Sequence, residues 1–313
     1  MQMNENILSA ENISISFGAL KVVSDFNLYI KKGELLGLIG PNGAGKTTVF
    51  NILTGVYSAT SGTYIFDGKN VEKTPTYKLV KYGLARTFQN IRLFKHMSVI
   101  ENILVAGNFN MHYGVFAGAL RVPEFWKEEK EAHKKAMELL KIFGLESSAD
   151  IPAGNLPYGQ QRKLEIARAI GTNPKLLLLD EPAAGMNPTE TEELMNTIKF
   201  IRDRFGIAIL LIEHDMKLVL GICERLIVLD HGHIIAQGDP QEVVNNPDVV
   251  IAYLGKDESD FDENSDVENL NNHESKNVPG KKYQDNKGNN LEYSDLKGKY
   301  ISVENLEVEK NER

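Results

Sequence analysis

Gly40-Pro41-Asn42-Gly43-Ala44-Gly45-Lys46-Thr47-Thr48 has the spacing of a loop that cradles phosphate. It lies between an apolar run, Leu35 to Ile39, and a helical stretch, Thr47 to Leu53, closed by Gly55. Strand, glycine loop, helix is the order in which such a loop works. The glycines let the main chain curl so that successive N–H groups face one anion, and the following helix adds the partial positive charge of its N-terminus. Lys46 supplies a full charge. At about 4 Å and an effective dielectric of about 20, one such pair is worth roughly 4 kcal/mol before desolvation. The expected ligand therefore carries a triphosphate, with the Thr47 hydroxyl on a magnesium ion.

Working outward, three continuous apolar runs, Leu35 to Ile39, Leu176 to Leu179 and Ala208 to Ile212, read as strands buried on both faces, as in a parallel α/β sheet. Residues 6 to 30 instead alternate apolar and polar (Ile13, Ile15, Phe17, then Val22, Val23, Phe26, Leu28, Ile30), and Gly62 to Asp67 adds a short strand. These suggest an antiparallel sheet beside the nucleotide. From Arg92 to Ala169 the pattern is mostly helical, as in Glu131 to Phe143, and forms a second lobe. Glu190 to Arg204 is a further helix, Leu226 to Leu229 and Ile234 to Gln237 form a hairpin, and Asp239-Pro240-Gln241-Glu242 starts another helix.

With 313 residues, 42% hydrophobic and 25% charged, the chain can bury the core of one large or two ordinary domains. Cys223 is the only cysteine, which rules out an intrachain disulfide and suits a reducing compartment. Met1 to Glu5 is polar and lacks a signal-type apolar region, and runs such as Ile207 to Ile212 fall far below the roughly 18 residues needed to span a bilayer. The expectation is that nothing here crosses a membrane alone. A net charge of −8 argues against a broad nucleic-acid surface. From Lys256 to Arg313 there are 15 acidic and 9 basic residues, a balance of −6, with few large apolar ones. Such a tail should be mostly disordered. Its end, Tyr300-Ile301-Ser302-Val303-Glu304-Asn305-Leu306-Glu307-Val308, echoes Leu8 to Ile15. That echo is either the first strand of a second copy of the same domain or a chance amphipathic strand.

Leu176-Leu177-Leu178-Leu179-Asp180-Glu181 is an apolar strand ending in two acids. Asp180 would hold magnesium through water and Glu181 would orient and polarise the attacking water; the bland alternative is a strand end with solvated acids. Glu213-His214-Asp215 follows the third apolar run, which puts His214 where open α/β sheets place ligands. A lone histidine is usually structural, but this placement favours a γ-phosphate contact.

Asn155-Leu156-Pro157-Tyr158-Gly159-Gln160-Gln161-Arg162, with the helical Lys163 to Ile170 behind it, resembles the signature of ATP-binding cassette (ABC) ATPases. The resemblance covers about residues 6–255. Thr87-Phe88-Gln89-Asn90, the signature, Glu181-Pro182-Ala183-Ala184-Gly185-Met186-Asn187-Pro188 and the insert Tyr113 to Trp126 are similar to the ATPase subunits of branched-chain amino-acid importers. It implies an α/β fold of the P-loop NTPase kind, with parallel core sheet, antiparallel β subdomain and helical subdomain at about 90–168. The nucleotide-binding domain would span 1–255 and the acidic tail 256–313. ATP and magnesium are the implied ligands. Phe17, 29 residues before Lys46, matches the aromatic that stacks on adenine, although an isolated aromatic on a strand also reads as core. Gly40, Pro41, Asn42, Gly43, Ala44, Gly45, Lys46, Thr47 and Thr48 would hold the phosphates. Glu181, His214 and Gln89 would be catalytic, and Thr47, Gln89 and Asp180 would hold magnesium. Tyr158, Gly159 and Gln160 would touch the ATP of the opposite subunit across a head-to-tail dimer.

Two positions depart from the family pattern. Pro157 stands where a serine is usual, which removes a hydroxyl contact and puts a proline at a first helical position. Asn187 stands where an aspartate is common, which removes a charge from the dimer contact. The resemblance implies an ATP-hydrolysing subunit that energises an importer, for branched-chain (hydrophobic) amino acids, by ATP-driven dimer closure. Its partners would be a second ATPase subunit, identical or paralogous, transmembrane permease subunits and, indirectly, a solute-binding protein, with no nucleic acid. It would act peripherally at the cytoplasmic face of the cell membrane. A soluble ABC ATPase acting on ribosomes and the ATPase of an exporter are the alternatives.

Overall fold

The computed structural model of the chain describes residues 5–107, 123–254, 283–284 and 290–291. The chain divides into two compact units, residues 1–243 and 244–313. Met1 to Asn4, the part of the insert from Tyr113 to position 122, and the tail with its echo at 300–308 lie outside the described residues, apart from two short pairs in the tail.

The first unit opens with two long strands, β1 (Asn6–Phe17) and β2 (Leu20–Lys31), which pair antiparallel with Phe17 opposite Leu20. In β2 the inward residues Phe26, Leu28 and Ile30 alternate with exposed Asn27, Tyr29 and Lys31, the period-two pattern of a sheet with one solvated face. After β3 (Leu35–Ile39) and α1 (Lys46–Leu53) come β4 (Ser61–Phe66) and β5 (Lys69–Asn70). They complete a four-stranded sheet ordered β2-β1-β4-β5.

The chain continues through α2 (Thr76–Tyr82), β6 (Leu84–Arg86), α3 (Val99–Gly107), α4 (Pro123–Ile142) and α5 (Tyr158–Gly171). It then alternates β7 (Leu176–Asp180), α6 (Pro188–Phe205), β8 (Ala208–Ile212), α7 (Met216–Ile222), β9 (Arg225–Asp230) and β10 (His233–Gly238), and α8 (Pro240–Val244) follows. The second sheet has the order β10-β9-β3-β8-β7-β6. Every residue of β3, β7 and β8 is buried, which is why those segments read as unbroken apolar runs. Truncating one of their leucines to alanine costs about 2–5 kcal/mol.

Two features of this sheet go beyond the sequence reading. The expected hairpin forms, but its first strand, β9, also pairs parallel with β3, Gly37 opposite Leu226, so it belongs to the core sheet. The three-residue β6 closes the far edge, pairing Arg86 with Leu178. The helical lobe holds α3, α4 and α5 with short 3-10 turns at Glu146–Ser148 and Ala153–Asn155. The fully buried Asn102 ties it to the preceding loop: its Oδ1 accepts from Phe94 N (2.9 Å) and its Nδ2 donates to Phe94 O (3.1 Å) and Ser98 O (2.9 Å).

In the second unit α9 (Pro247–Leu254) is opened by Asn246, whose Oδ1 accepts from Asp248 N at 2.9 Å, and β11 (Tyr283–Gln284) pairs antiparallel with β12 (Asn290–Leu291). Among the described residues no helix is long and apolar enough to cross a membrane.

Candidate active site

The loop after β3 turns on Gly40, Gly43 and Gly45, at φ 148°, 80° and 103°. Gly40 has no room for a side chain, since a Cβ there would lie 2.0 Å from Leu229 O at the end of β9. The loop is pinned from inside, with Ala44 N donating to Pro41 O at 3.2 Å and Gly232 N to Ala44 O at 2.9 Å. Asn42 and Gly43 form its exposed crest. Helix α1 starts at Lys46, one residue earlier than expected, and its N-cap, Gly45, offers no side chain to the first-turn amides. Those amides and the helix dipole are therefore left to serve an anion. Lys46 is buried, and its Nζ donates to Gly40 O (2.6 Å) and Pro41 O (2.9 Å), so the ammonium lies across the loop it serves. Thr47 is exposed and Thr48 half-buried on the first turn.

Strands β3, β8, β7 and β6 are consecutive neighbours and parallel, so their C-terminal ends share one edge. The phosphate loop, Glu213-His214, Asp180-Glu181 and the Arg86 to Gln89 segment all emerge there. Open α/β sheets bind ligands at this edge. Glu181 adopts φ 47°, a left-handed backbone uncommon for a non-glycine residue. Its carboxylate is held on both oxygens: Gln89 Nε2 donates to Oε2 at 2.9 Å, and His214 Nε2 shares a hydrogen bond with Oε1 at 2.8 Å. The three residues expected to be catalytic thus form one cluster.

Asp180 is buried, and its Oδ2 accepts from Arg86 Nη2 at 2.7 Å. Arg86 in turn donates through Nη1 to Asn51 Oδ1 (2.6 Å) and Thr54 Oγ1 (3.2 Å) on and after α1, so the acid and the phosphate-loop helix share one guanidinium. The Thr47 hydroxyl, the Asp180 carboxylate and the Gln89 amide oxygen are hard donors of the kind magnesium takes. Among the described residues no group of three or more His, Cys, Asp or Glu could hold a metal unaided. A magnesium ion would complete its shell from phosphate and water, as it ordinarily does.

Phe17 is 47% exposed, so it is not a core residue; its ring meets that of Tyr57 edge-on at 5.3 Å. The signature residues Tyr158, Gly159 and Gln160 open α5, with Tyr158 48% exposed. They lie against the segment that follows Glu181: a Cβ on Gly185 would sit 3.1 Å from the Tyr158 ring, and one on Gly159 would sit 3.0 Å from Glu190 Oε1. Pro157 is the N-cap of α5, one position before the first helical residue where it was expected, and its carbonyl accepts from Gln161 N at 2.9 Å. Asn187 has a structural task. Its Oδ1 accepts from Glu190 N (2.9 Å) while Glu190 Oε2 accepts from Asn187 N (3.0 Å), a capping box that starts α6.

Four residues that shape the site went unassigned in the sequence. Besides Arg86, these are Arg162 and Glu165 on α5 and Glu213 beside His214. Glu213 is buried; its Oε1 accepts from Ala183 N (2.8 Å) and its Oε2 from His214 N (3.1 Å), stapling the loop after β7 to the loop after β8. Burial pushes its carboxyl above the ordinary range, against the pull of these amides. Its position, one residue beyond a fully buried strand, was the available signal.

A model of the family described as ABC transporter matches residues 23–184, and one described as branched-chain amino acid ATP-binding cassette transporter matches 233–259. Over 254 residues the chain is 47% identical to the high-affinity branched-chain amino acid transport ATP-binding protein LivG of Escherichia coli, covering 81% of this chain and 100% of LivG. The crystal structure of the ADP conformation of an ATP-binding cassette of an ABC transporter aligns with a TM-score of 0.70 and 35% identity, covering 80% of this chain and 99% of that one. A dimeric post-hydrolysis cassette bound to ADP and Pi aligns with a TM-score of 0.63 and 25% identity, over 74% and 98%. By sequence and by fold alike, the chain belongs to the ABC transporter family as one of its ATPase subunits.

Proposed function

We propose that this chain binds ATP between the phosphate loop and the Glu181 cluster, and that two copies, or this chain and a paralogue, close head to tail over two ATP molecules to drive amino-acid import. The observation that carries the reading is the Glu181 carboxylate held by Gln89 and His214 at the strand edge it shares with the phosphate loop. The reaction has water attack the γ-phosphorus, break its bond to the β–γ bridging oxygen, and release ADP and phosphate. Glu181 orients that water and draws on its proton, Gln89 keeps the carboxylate aimed, and His214 supplies a donor toward the γ-phosphate. Main-chain amides of the loop and the Lys46 ammonium stabilise charge on the phosphate oxygens. A triphosphate would draw the ammonium off the Gly40 and Pro41 carbonyls that hold it. Magnesium, held by Thr47, Asp180 and Gln89, would neutralise part of the phosphate charge.

Phe17, exposed and braced by Tyr57, offers the ring for adenine. Tyr158, Gly159 and Gln160 would complete the partner's site, so a single chain holds two half-sites. Branched-chain amino acids are the proposed cargo, supported by the name of LivG and by the family model at residues 233–259. Permease subunits and, through them, a solute-binding protein would be the partners, with the chain at the cytoplasmic membrane face. The test is ATP-dependent leucine uptake into proteoliposomes carrying the chain with its permease subunits. Uptake that stops with Glu181→Gln supports the proposal, and uptake indifferent to that change would remove it.

A further inference from the structure

Arg162, one turn into α5, is 0% exposed and is the bulkiest fully buried side chain among the described residues. A guanidinium taken out of water needs a counter-charge and partners for its N–H groups. Two of the partners it finds are on the backbone of a different segment. Nη1 donates to Phe88 O (2.7 Å) and to Glu165 Oε2 (3.1 Å), while Nη2 donates to Gln89 O (2.7 Å) and to the Tyr158 hydroxyl (3.1 Å). Glu165, also buried, uses its other carboxylate oxygen to accept from Arg92 N at 3.1 Å. The segment from Phe88 to Arg92 is thus fastened at both ends to two side chains one turn apart on α5. The Phe88 ring is capped by the Arg92 guanidinium at 4.1 Å.

Stability alone is a poor reason for this arrangement. A buried ion pair is often replaced by well-packed apolar residues without loss, because desolvation offsets the attraction. That cost shows at Glu165, whose carboxyl burial pushes above the ordinary range even with Arg162 beside it. Geometry is the better reason. Gln89, whose carbonyl Arg162 holds, is the residue whose amide reaches Glu181. The nitrogen that takes the Gln89 carbonyl also takes the hydroxyl of Tyr158, the exposed signature residue.

We infer that Arg162 is a positioning residue that locks Gln89 to the signature turn, so that an ATP pressed against Tyr158 by the opposite copy alters the alignment of Gln89 and Glu181 in this one. The inference rests on the roles proposed above for Gln89, Glu181 and the signature. A displacement of Tyr158 moves Nη2 of Arg162, and with it the Gln89 carbonyl. Site-to-site communication then runs inside each subunit from signature to water-orienting carboxylate, and needs no charge at position 187.

Steady-state ATPase rates and fluorescent-ATP binding on the whole chain test this, with Arg162→Lys, Tyr158→Phe, Gln89→Ala and the Tyr158→Phe/Gln89→Ala pair. Lysine keeps the charge opposite Glu165 but cannot span two carbonyls and a hydroxyl. Arg162→Lys is expected to lower kcat about tenfold with ATP affinity within about twofold, and to bring the Hill coefficient for ATP toward 1. Tyr158→Phe should lower kcat about threefold alone and not at all in the Gln89→Ala background, since both act through one path. That cycle stands even if Arg162→Lys fails to fold. A native kcat in a folded Arg162→Lys, a kcat loss matched by lost ATP affinity, or a Tyr158→Phe effect that multiplies with Gln89→Ala would overturn the inference. A silent Gln89→Ala would instead overturn the role of Gln89, and the inference with it.

Discussion

Between Gly40 and Thr48 the groups offered to a ligand belong to nine consecutive residues and are mostly main-chain amides. The Glu181 carboxylate, by contrast, is held by Gln89 and His214, 92 and 33 positions away in the chain, which meet only because β6, β7 and β8 are neighbours. The first region is specified by backbone angles, above all those of Gly40, Gly43 and Gly45, and the second by side chains on separate loops. Binding and hydrolysis should therefore fail separately: damage to the loop should remove the ligand, and damage to the cluster should leave a ligand that does not react.

The largest separation should come from Lys46→Ala. Losing the one full charge in the loop should weaken ATP binding by about 100- to 1000-fold, the scale of a charge pair worth roughly 4 kcal/mol less desolvation, read by calorimetry. Near-native affinity would mean that main-chain amides suffice. Glu181→Gln should show the opposite profile, kcat down by about 100-fold or more with ATP affinity within about threefold. His214→Ala should lie between the two, with kcat lower by about tenfold because one donor is lost; a loss of affinity of that size would move His214 to the binding side of the comparison.

The smallest effect concerns pH and belongs to the side-chain-built region alone. Because burial raises the folded-state pKa of Glu213, its protonation favours the folded state. That stability is fully present below the ordinary carboxylate value of 4.5 and is lost as pH rises through the folded-state value. The melting temperature of the native chain, relative to Glu213→Gln, should accordingly fall as pH rises above about 4.5 through the folded-state value. A difference independent of pH would show that Glu213 titrates alike in the folded and unfolded chain, and that burial does not raise it.

How far the sequence could be read follows the same division. The β3, loop and α1 succession was legible because its signals are contiguous: an apolar run, spaced glycines, a lysine. β7 and β8 were legible because strands covered on both faces carry no polar interruptions. β6 was not, since three residues carry no measurable period, and the pairing of β9 with β3 joins segments about 190 positions apart. Arg86 and Arg162 escaped for a related reason. An arginine in a sequence reads as solvated, and only folding shows that one is clamped on Asp180 and the other on the carbonyls of Phe88 and Gln89. Asn187 was read only for the charge it lacks; that its short polar side chain also closes a capping box shows only once the helix it starts is in place.

The central claim is that the signature of one subunit completes the ATP site of another, so ATP itself should bring two chains together. Sedimentation velocity on Glu181→Gln, in which the bound nucleotide persists, measures this directly. The account predicts a monomer without nucleotide and a dimer with ATP and magnesium, reverting when Lys46→Ala is added. A chain that binds ATP and still sediments as a monomer, or that dimerises equally without nucleotide, would contradict it.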